Sequence, residues 1–312
     1  MALPPEACGY EHSAVVVLPI PYEATVSGGA GTRHGPSAFI AASQQLTYYS
    51  LATNSETVFE YGIHTLPELP VRQVSSCAPS DETVMCVIAE TVAAHARNGK
   101  FVLGLGGEHS ASFPFAHGLA QVHGNFTLIQ IDAHPDLCDE CDGNRYSHAC
   151  GVRRITELPQ CDAIYQLGIR SGSGDQVLFA EMHEKPDGPR PFIRTWQAEA
   201  MHEHDGWKED LAQGISGKKV IVTLDVDGLD PSIVPSTGTP EPDGLTWRQL
   251  LTIMKIIAAN VDTVIGMDCM EFSPIPGLPY PDYTMAQALY TTLNIMHSHG
   301  RIARPGRGGQ GC

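Results

Sequence analysis

The chain has few basic residues and no long hydrophobic segment. Its 312 residues include 19 Lys and Arg against 35 Asp and Glu, which gives a formal net charge of −16. This excess of acidic residues disfavours binding to nucleic acid or to an anionic membrane surface. No apolar run approaches the roughly 20 residues that span a bilayer, and the first residues lack the basic region and apolar core of a signal peptide. The sequence therefore predicts a cytoplasmic protein with neither a nucleic-acid nor a membrane partner.

A disulfide framework and a nucleotide-binding loop are also missing. The nine cysteines, an odd number, follow no spacing typical of a small secreted domain, so we expect reduced thiols. Cys138-x-x-Cys141 has no second pair to complete a zinc site, and two incidental thiols are the favoured interpretation. The glycine-rich segment 27–36 lacks the lysine of a phosphate-binding loop.

Apolar runs typical of strands alternate with segments of helical periodicity. The predicted strands cover residues 14–19, 101–105, 126–131, 163–169, 219–224 and 263–267. The predicted helices cover 37–48, 81–97, a segment from 110, 148–158, 176–183, 195–201, 246–259 and 283–298. This alternation predicts a three-layer αβα fold with a central, mostly parallel sheet. No linker or repeat divides the chain, so we expect one domain over 1–305 and a disordered tail over 306–312.

Polar residues follow several of these strands at the point where each strand ends. In the segment IQIDAHPD (129–136), Asp132, His134 and Asp136 alternate, so they would share one face of an extended chain. Other predicted strands are also followed by polar residues, namely His109, Asp225, Asp227 and Glu271. Ligands of open parallel sheets bind at the carboxyl ends of the strands, so these residues are expected to form one site.

Six side chains of this group are good metal ligands. They are His109, Asp132, His134, Asp136, Asp225 and Asp227. Four crowded carboxylates would raise one another's pKa values, and two divalent cations would neutralise them. Ligands rich in oxygen, with two imidazoles and no thiolate, favour Mn²⁺ over structural Zn²⁺, with Ni²⁺, Co²⁺ or iron as alternatives. A lone Asp-x-Asp such as Asp225-x-Asp227 is usually a turn or a solvated edge. Together with His109 and Asp132-x-His134-x-Asp136, each at a strand end, it favours a metal site.

The remaining polar residues suggest a hydrolytic mechanism. Two neighbouring metal ions can activate a water molecule near neutral pH. Asp136, if it binds only one metal, has a spare oxygen to orient that water. His148 could pass a proton to a leaving amine, and Glu271 could form a bidentate pair with a planar cation. Without a catalytic role, His148 would be an ordinary histidine and Glu271 a solvated loop glutamate.

These motifs resemble the signature segments of the ureohydrolase (arginase/agmatinase) family of amidinohydrolases. The matching segments are GGEHS (106–110), DAHPD (132–136), LDVDGLDP (224–231) and GTPEPDGLT (238–246), and the resemblance runs from residue 31 to Glu271. It implies an arginase/deacetylase-like α/β fold. It also implies a binuclear Mn²⁺ centre that hydrolyses a guanidinium group to urea and an amine, in a trimer or hexamer.

The resemblance also implies a role for each candidate residue. The ligands of one metal would be His109, Asp132, Asp136 and Asp225. The ligands of the other would be Asp132, His134, Asp225 and Asp227, so that Asp132 and Asp225 bridge the two ions. His148 corresponds to the proton-shuttling histidine of the family, and Glu271 corresponds to its guanidinium-binding glutamate.

The loop from 136 to 154 resembles the agmatinase branch and lacks the Ser-Gly-Asn run that arginases use near the amino-acid end of arginine. Asp139, Glu140 and Asp142 make this loop acidic, which favours a substrate with a second cation over one with a carboxylate. Cys138 and Cys141 depart from the arginine and aromatic residue that relatives often have. The predicted reaction is hydrolysis of agmatine to putrescine and urea.

Other functions stay open. The chain could be a ureohydrolase of different specificity: a guanidinobutyrase, guanidinopropionase, formimidoylglutamase, guanidine hydrolase or arginase. A catalytically silent metal-binding or scaffold paralogue is disfavoured, because the full ligand set, His148 and Glu271 are all present. A zinc deacetylase would use one metal and would have little use for the second set of ligands.

Overall fold

A single parallel sheet dominates the computed structural model, which describes residues 3–71, 81–184 and 189–302. The strands in these ranges are β1 (Val15–Ile20), β2 (Ile63–Thr65), β3 (Phe101–Gly106), β4 (Phe126–Ile131), β5 (Cys161–Ile169), β6 (Phe192–Gln197), β7 (Lys219–Asp225) and β8 (Thr263–Met270). They form one 8-stranded sheet in the order β2-β1-β3-β8-β7-β4-β5-β6. All neighbouring pairs are parallel, which confirms the predicted fold class.

Helices occupy the connections between the strands. They are α1 (Pro5–Cys8), α2 (Gly35–Ser43), α3 (Val58–Tyr61), α4 (Asp81–Arg97), α5 (Ser112–His123), α6 (Gly151–Thr156), α7 (Gly174–Glu184), α8 (Ala198–Glu203), α9 (Gly206–Gly214), α10 (Trp247–Asn260) and α11 (Tyr280–Ser298). None of these described helices combines the length and apolar character needed to cross a bilayer.

Two hydrophobic cores lie on opposite faces of the sheet, because side chains alternate between the faces along each strand. Val15 and Val17 of β1 pack in one core together with residues of α2, α10 and α11. Val16 and Leu18 pack in the other core with residues of α4 and α5. Since both faces are covered, the central strands are buried along their length and mostly apolar, rather than alternating between buried apolar and exposed polar residues.

The six predicted strands are present, but β2 and β6 were not predicted. The helix predicted over 195–201 is wrong in its first half: Thr195–Gln197 end β6, and α8 begins only at Ala198. β6 lies at the edge of the sheet and is partly exposed, so its sequence lacks the apolar run of a buried strand. Arg194 instead pairs with Glu184 and contacts the Trp196 ring.

Several predicted helix ends are also wrong. The helix predicted over 37–48 spans Gly35–Ser43, and the Ser37 hydroxyl donates to the His34 carbonyl instead of capping the helix. The helix predicted over 148–158 consists of a short 3₁₀ turn at His148–Cys150 followed by α6. The tail 306–312 lies outside the described residues, and the single domain over 1–305 stays a prediction.

Candidate metal centre

The carboxyl edge of the sheet brings the predicted site residues together. The central strands β3, β8, β7 and β4 are neighbours, and each is followed at once by a polar segment. These segments carry His109 after β3, Glu271 after β8, Asp225 and Asp227 at the end of β7, and Asp132, His134 and Asp136 after β4. The site thus forms because neighbouring parallel strands end at the same edge.

One group of ligands surrounds the Nδ1 atom of the buried His109. Its neighbours are Asp136 Oδ2 at 2.9 Å, Asp132 Oδ2 at 3.0 Å and Asp225 Oδ2 at 3.1 Å. Among the described residues, no neighbour of this buried nitrogen has the geometry of a hydrogen bond. An imidazole nitrogen that faces three carboxylate oxygens without a hydrogen bond fits the donor set of a divalent cation.

A second group consists of Asp132, His134 and Asp227. The Nδ1 atom of His134 lies 3.1 Å from Asp227 Oδ2 and 3.7 Å from Asp132 Oδ1. Asp132 therefore contributes an oxygen to each group. His134 is partly exposed whereas both aspartates are buried, so this group lies nearer to solvent. Together, the two groups fit two metal ions that share Asp132.

Asp225 lies in the first group, and its second oxygen has a different neighbour. Its Oδ1 atom accepts a hydrogen bond from the backbone N–H of Asp227 at 2.9 Å. Asp227 is itself held by the Ala133 N–H and the Thr239 hydroxyl, each at 3.1 Å. The aspartates of β7 are thus oriented by the backbone that follows them.

The charges of this cluster shift its pKa values strongly. Burial and the neighbouring carboxylates raise the pKa of Asp132 to about 7 and raise that of Asp225 well above its usual value. Burial disfavours the charged form of His134, but the adjoining Asp227 raises the pKa of His134 to about 10. The cluster therefore retains protons unless cations replace them, and metal binding would release those protons.

Glu271 joins the metal cluster to His148. Its Oε1 atom accepts a hydrogen bond from the His109 backbone N–H at 2.7 Å and lies 3.6 Å from His148 Nδ1. The other imidazole nitrogen of His148 lies 3.0 Å from the Ser27 hydroxyl. Burial alone would lower the pKa of His148, but Glu271 and the further carboxylates around it raise this pKa to about 9.

Two glutamates not predicted from the sequence hold the loop that carries Ser27. Glu108, fully buried, accepts hydrogen bonds from the Thr25 N–H and hydroxyl at 2.6 and 2.7 Å, and the Thr25 hydroxyl in turn accepts the His148 N–H at 2.9 Å. Glu23 accepts the backbone N–H groups of Gly31 and Arg33. The carboxylates therefore organise the glycine-rich segment that the sequence left without a function.

That segment passes very close to the loop after β7. A Cβ atom at Gly28 would lie 2.6 Å from the Gly238 carbonyl oxygen, and the φ of Gly28 is +84°. Both facts require glycine.

A chain of buried side chains runs from the metal cluster into β6. Gln130 donates to Asp132 Oδ2 at 2.8 Å and to the His134 carbonyl at 3.0 Å. Gln166 donates to Gln130 at 2.7 Å and accepts from the Thr195 hydroxyl at 2.8 Å. Through Thr195, segment 171–218 contributes a hydrogen bond to the side chains that support the cluster. Amides within two apolar strand sequences were the signal that could have revealed it.

Arg170, directly after β5, fastens the loop between Asp227 and Pro242. Its guanidinium donates to the backbone carbonyls of Asp227, Glu241 and Pro242 at 2.6, 2.8 and 2.9 Å. This loop places Glu241 Oε1 3.7 Å from the outer nitrogen of His134. Neither residue was predicted as part of the site.

In the acidic loop, one of the three carboxylates is paired with arginine and two are exposed. Asp139 is paired with Arg154 at 2.7 Å, and Arg145 lies 4.0 Å from the same oxygen, so nearby arginines offset its charge. Glu140 and Asp142 are exposed. Cys138 and Cys141 are free thiols, and neither belongs to a potential metal-binding group within the described ranges.

The fold agrees with comparisons to known proteins. The Arginase family model matches residues 13–291. The chain is 34% identical over 286 residues to N(1)-aminopropylagmatine ureohydrolase of Thermus thermophilus, covering 92% of this chain and 91% of the relative. It is 32% identical over 268 residues to agmatinase of Bacillus anthracis, covering 85% and 86%. The crystal structure of agmatine ureohydrolase of Thermoplasma volcanium superposes with a TM-score of 0.78 at 25% identity, covering 96% of each chain.

A parallel sheet with a paired His/Asp cluster at its carboxyl edge defines a binuclear metal-dependent hydrolase. The chain belongs to the arginase family and is an amidinohydrolase. The resemblance on which the site was first assigned is thereby confirmed at the level of the family.

Proposed function

We propose that this amidinohydrolase hydrolyses agmatine to putrescine and urea, with two Mn²⁺ ions at the His/Asp cluster. The observation that carries the proposal is the position of Glu271, which lies beside both the His109 ligand group and His148. A carboxylate in that position can bind a guanidinium next to a metal pair. The family resemblance supports a cytoplasmic homo-oligomer, a trimer or a hexamer.

His109, Asp132, Asp136 and Asp225 would hold one ion, and Asp132, His134, Asp225 and Asp227 would hold the other. Ions in these positions would supply an activated water and would polarise the guanidinium carbon. The oxygen donors favour Mn²⁺, and the two imidazoles also permit Ni²⁺ or Co²⁺.

Three residues of the chain act on the substrate and water in this proposal. Glu271 binds the guanidinium and fixes its plane. Asp136 directs one oxygen to the His109 group, at 2.9 Å from Nδ1, and orients the attacking water with the other oxygen. His148 holds a proton for the departing amine, since the pKa of its imidazole is raised to about 9 and the group is charged at neutral pH.

N(1)-aminopropylagmatine is a second candidate substrate. The relative from Thermus thermophilus is named for this compound, which carries the same guanidinium on a longer cationic chain. Both candidates present an amine at the end away from the reacting group, and both yield urea.

Urea release by the Mn²⁺-loaded protein tests the proposal. The substrates to compare are agmatine, N(1)-aminopropylagmatine, arginine, 4-guanidinobutyrate, 3-guanidinopropionate and guanidine. We expect the highest kcat/KM with one of the two amine-bearing compounds. Asp136→Asn is the inactive control, with turnover lower by at least about 100-fold, because it removes a charged ligand and the partner of the water. Absence of urea from every compound would refute the proposal, and urea only from the carboxylate-bearing compounds would refute the choice of substrate.

A further inference from the structure

Asp268 is a buried carboxylate with no role in the function described so far. It lies in β8, where its backbone is paired with Thr223 of β7 and Gly104 of β3. Its exposed fraction is 1%, and its Oδ2 atom has no hydrogen-bond partner within the part of the chain that the structure describes. Burying a carboxylate is costly unless it is hydrogen-bonded or paired with a charge, so a feature nearby has to account for it.

The other oxygen of Asp268 leads to the metal cluster through one hydroxyl group. Thr223 Oγ1 donates to Asp268 Oδ1 at 2.6 Å and lies 2.8 Å from His109 Nε2. A threonine hydroxyl has one hydrogen atom, and a carboxylate can only accept. With that hydrogen directed to Asp268, Thr223 must accept the N–H of His109 Nε2.

This assignment fixes the tautomer of His109. If the neutral imidazole carries its proton on Nε2, then Nδ1 presents a lone pair. Nδ1 is the atom that faces the oxygens of Asp132, Asp136 and Asp225 at 2.9–3.1 Å. A lone pair pointing at three carboxylate oxygens is favourable only with a cation between them.

We propose that Thr223 and Asp268 are positioning residues that hold His109 in the tautomer and orientation needed to bind one of the two metal ions. The inference rests on the proposed metal centre and extends it to residues that touch neither metal nor substrate. Hydrogen bonds from outer residues to metal-binding histidines are common, and their loss weakens metal affinity by about 10–100-fold. Thr223 contacts the imidazole of His109, which belongs to the first ligand group, so the effect should fall on one ion of the pair.

The space around Asp268 does not by itself require a polar pair at residues 223 and 268. A Cβ atom at Gly104 would lie 3.1 Å from Asp268 Cβ and 3.0 Å from the Phe115 ring, so the neighbouring strand leaves room for a side chain at residue 268. An apolar pair of similar size would fill the same space without an unpaired carboxylate oxygen. The polar pair therefore has a function that packing does not explain.

The test is metal binding by the full-length chain, measured by equilibrium dialysis against Mn²⁺ with elemental analysis and by the electron paramagnetic resonance signal of a coupled Mn²⁺ pair. We expect Thr223→Val to weaken one of the two sites by about 10–100-fold and to convert the coupled signal into that of single ions. Thr223→Ser should keep both the metal affinity and the coupled signal of the unmodified protein, because serine retains the hydroxyl. Asp268→Asn should act in the same direction and keeps the volume of the site, so it carries the test if Thr223→Val does not fold.

Thr127→Val is the matched control, since Thr127 is equally buried in β4 but pairs with Ala163 and Val220 instead. It should bind two ions like the unmodified protein. Two ions bound with unchanged affinity by Thr223→Val and Asp268→Asn would overturn the inference, as would a failure of Thr223→Ser to restore binding. If the unmodified chain binds no Mn²⁺, the proposed metal centre itself fails.

Discussion

At the scale of single residues, two site carboxylates have an unusual backbone conformation. Asp136 and Glu271 have φ values of +53° and +62°, a region that costs an L-residue about 1–2 kcal/mol. Asp136 would share a face with Asp132 and His134 only if the extended chain lasted that far, and β4 ends at Ile131. Asp136 reaches the cluster through a left-handed turn instead, which the strand pattern could not reveal.

His148 should determine the alkaline limit of activity. Because neighbouring carboxylates raise the pKa of His148 to about 9, its imidazole is protonated below that pH and can donate to the leaving amine. As the pH rises through about 9, the proton is lost and kcat/KM should fall. The measurement is a pH profile of urea release.

His148→Asn is the variant to compare, since it is close in size and does not titrate. It should be slower by about 100-fold or more, and its profile should lose the fall near pH 9. If the same fall persists in the variant, another group is responsible and His148 is not the donor.

At the scale of elements, the strand ends were predictable and the supporting loops were not. An apolar run followed by Asp, Glu or His marks the end of a buried strand, so the positions of the polar residues after β3, β4, β7 and β8 could be predicted from the sequence. Residues such as Arg170 and Glu108 act through backbone groups far away in sequence, and no local pattern reveals such partners. β6 is a partly exposed edge strand, so it also lacked a clear signal.

In the loop that Arg170 fastens, we expect Glu241 to pair with the amine end of the proposed substrate. Glu241 is 34% exposed beside the outer nitrogen of His134, whereas Asp139 in the loop first predicted for this role is paired with Arg154. We expect Glu241→Gln to raise KM for agmatine about fivefold, the value of a partly exposed ion pair near 1 kcal/mol. Butylguanidine, which lacks the amine, should be unaffected.

Asp243→Asn is the control for this loop. Asp243 is close in sequence, 68% exposed, and 3.6 Å from His202, so its loss should leave both KM values unchanged. An equal rise in KM for agmatine and butylguanidine in Glu241→Gln would mean that Glu241 only supports His134.

At the scale of the whole molecule, the His/Asp cluster lies at the carboxyl edge of the four central strands β3, β8, β7 and β4. Four buried carboxylates there oppose folding through mutual repulsion, and cations relieve it. Removing the metal should therefore lower the unfolding temperature. An ion at 100 times its Kd stabilises the folded state by about 2.7 kcal/mol, equivalent to roughly 5 °C for a chain of this size.

Differential scanning calorimetry of chelator-treated protein, with and without added Mn²⁺, measures this effect. Mg²⁺ at the same concentration is the control, because it prefers oxygen ligands and suits the imidazoles poorly. An unfolding temperature that does not respond to Mn²⁺ would contradict a metal site built into the core.

The hydrogen bond from the His109 backbone to Glu271, at 2.7 Å, has a thermodynamic consequence. One residue supplies both a proposed metal-binding imidazole and the N–H that orients the proposed guanidinium anchor, so we expect cation binding and substrate binding to be coupled. Linkage requires that whatever factor the cations add to substrate affinity, the substrate adds to cation affinity. If the coupling is favourable, the enzyme should retain its metals most firmly while substrate is bound. When metal is scarce, the enzyme molecules without substrate should lose their metals first.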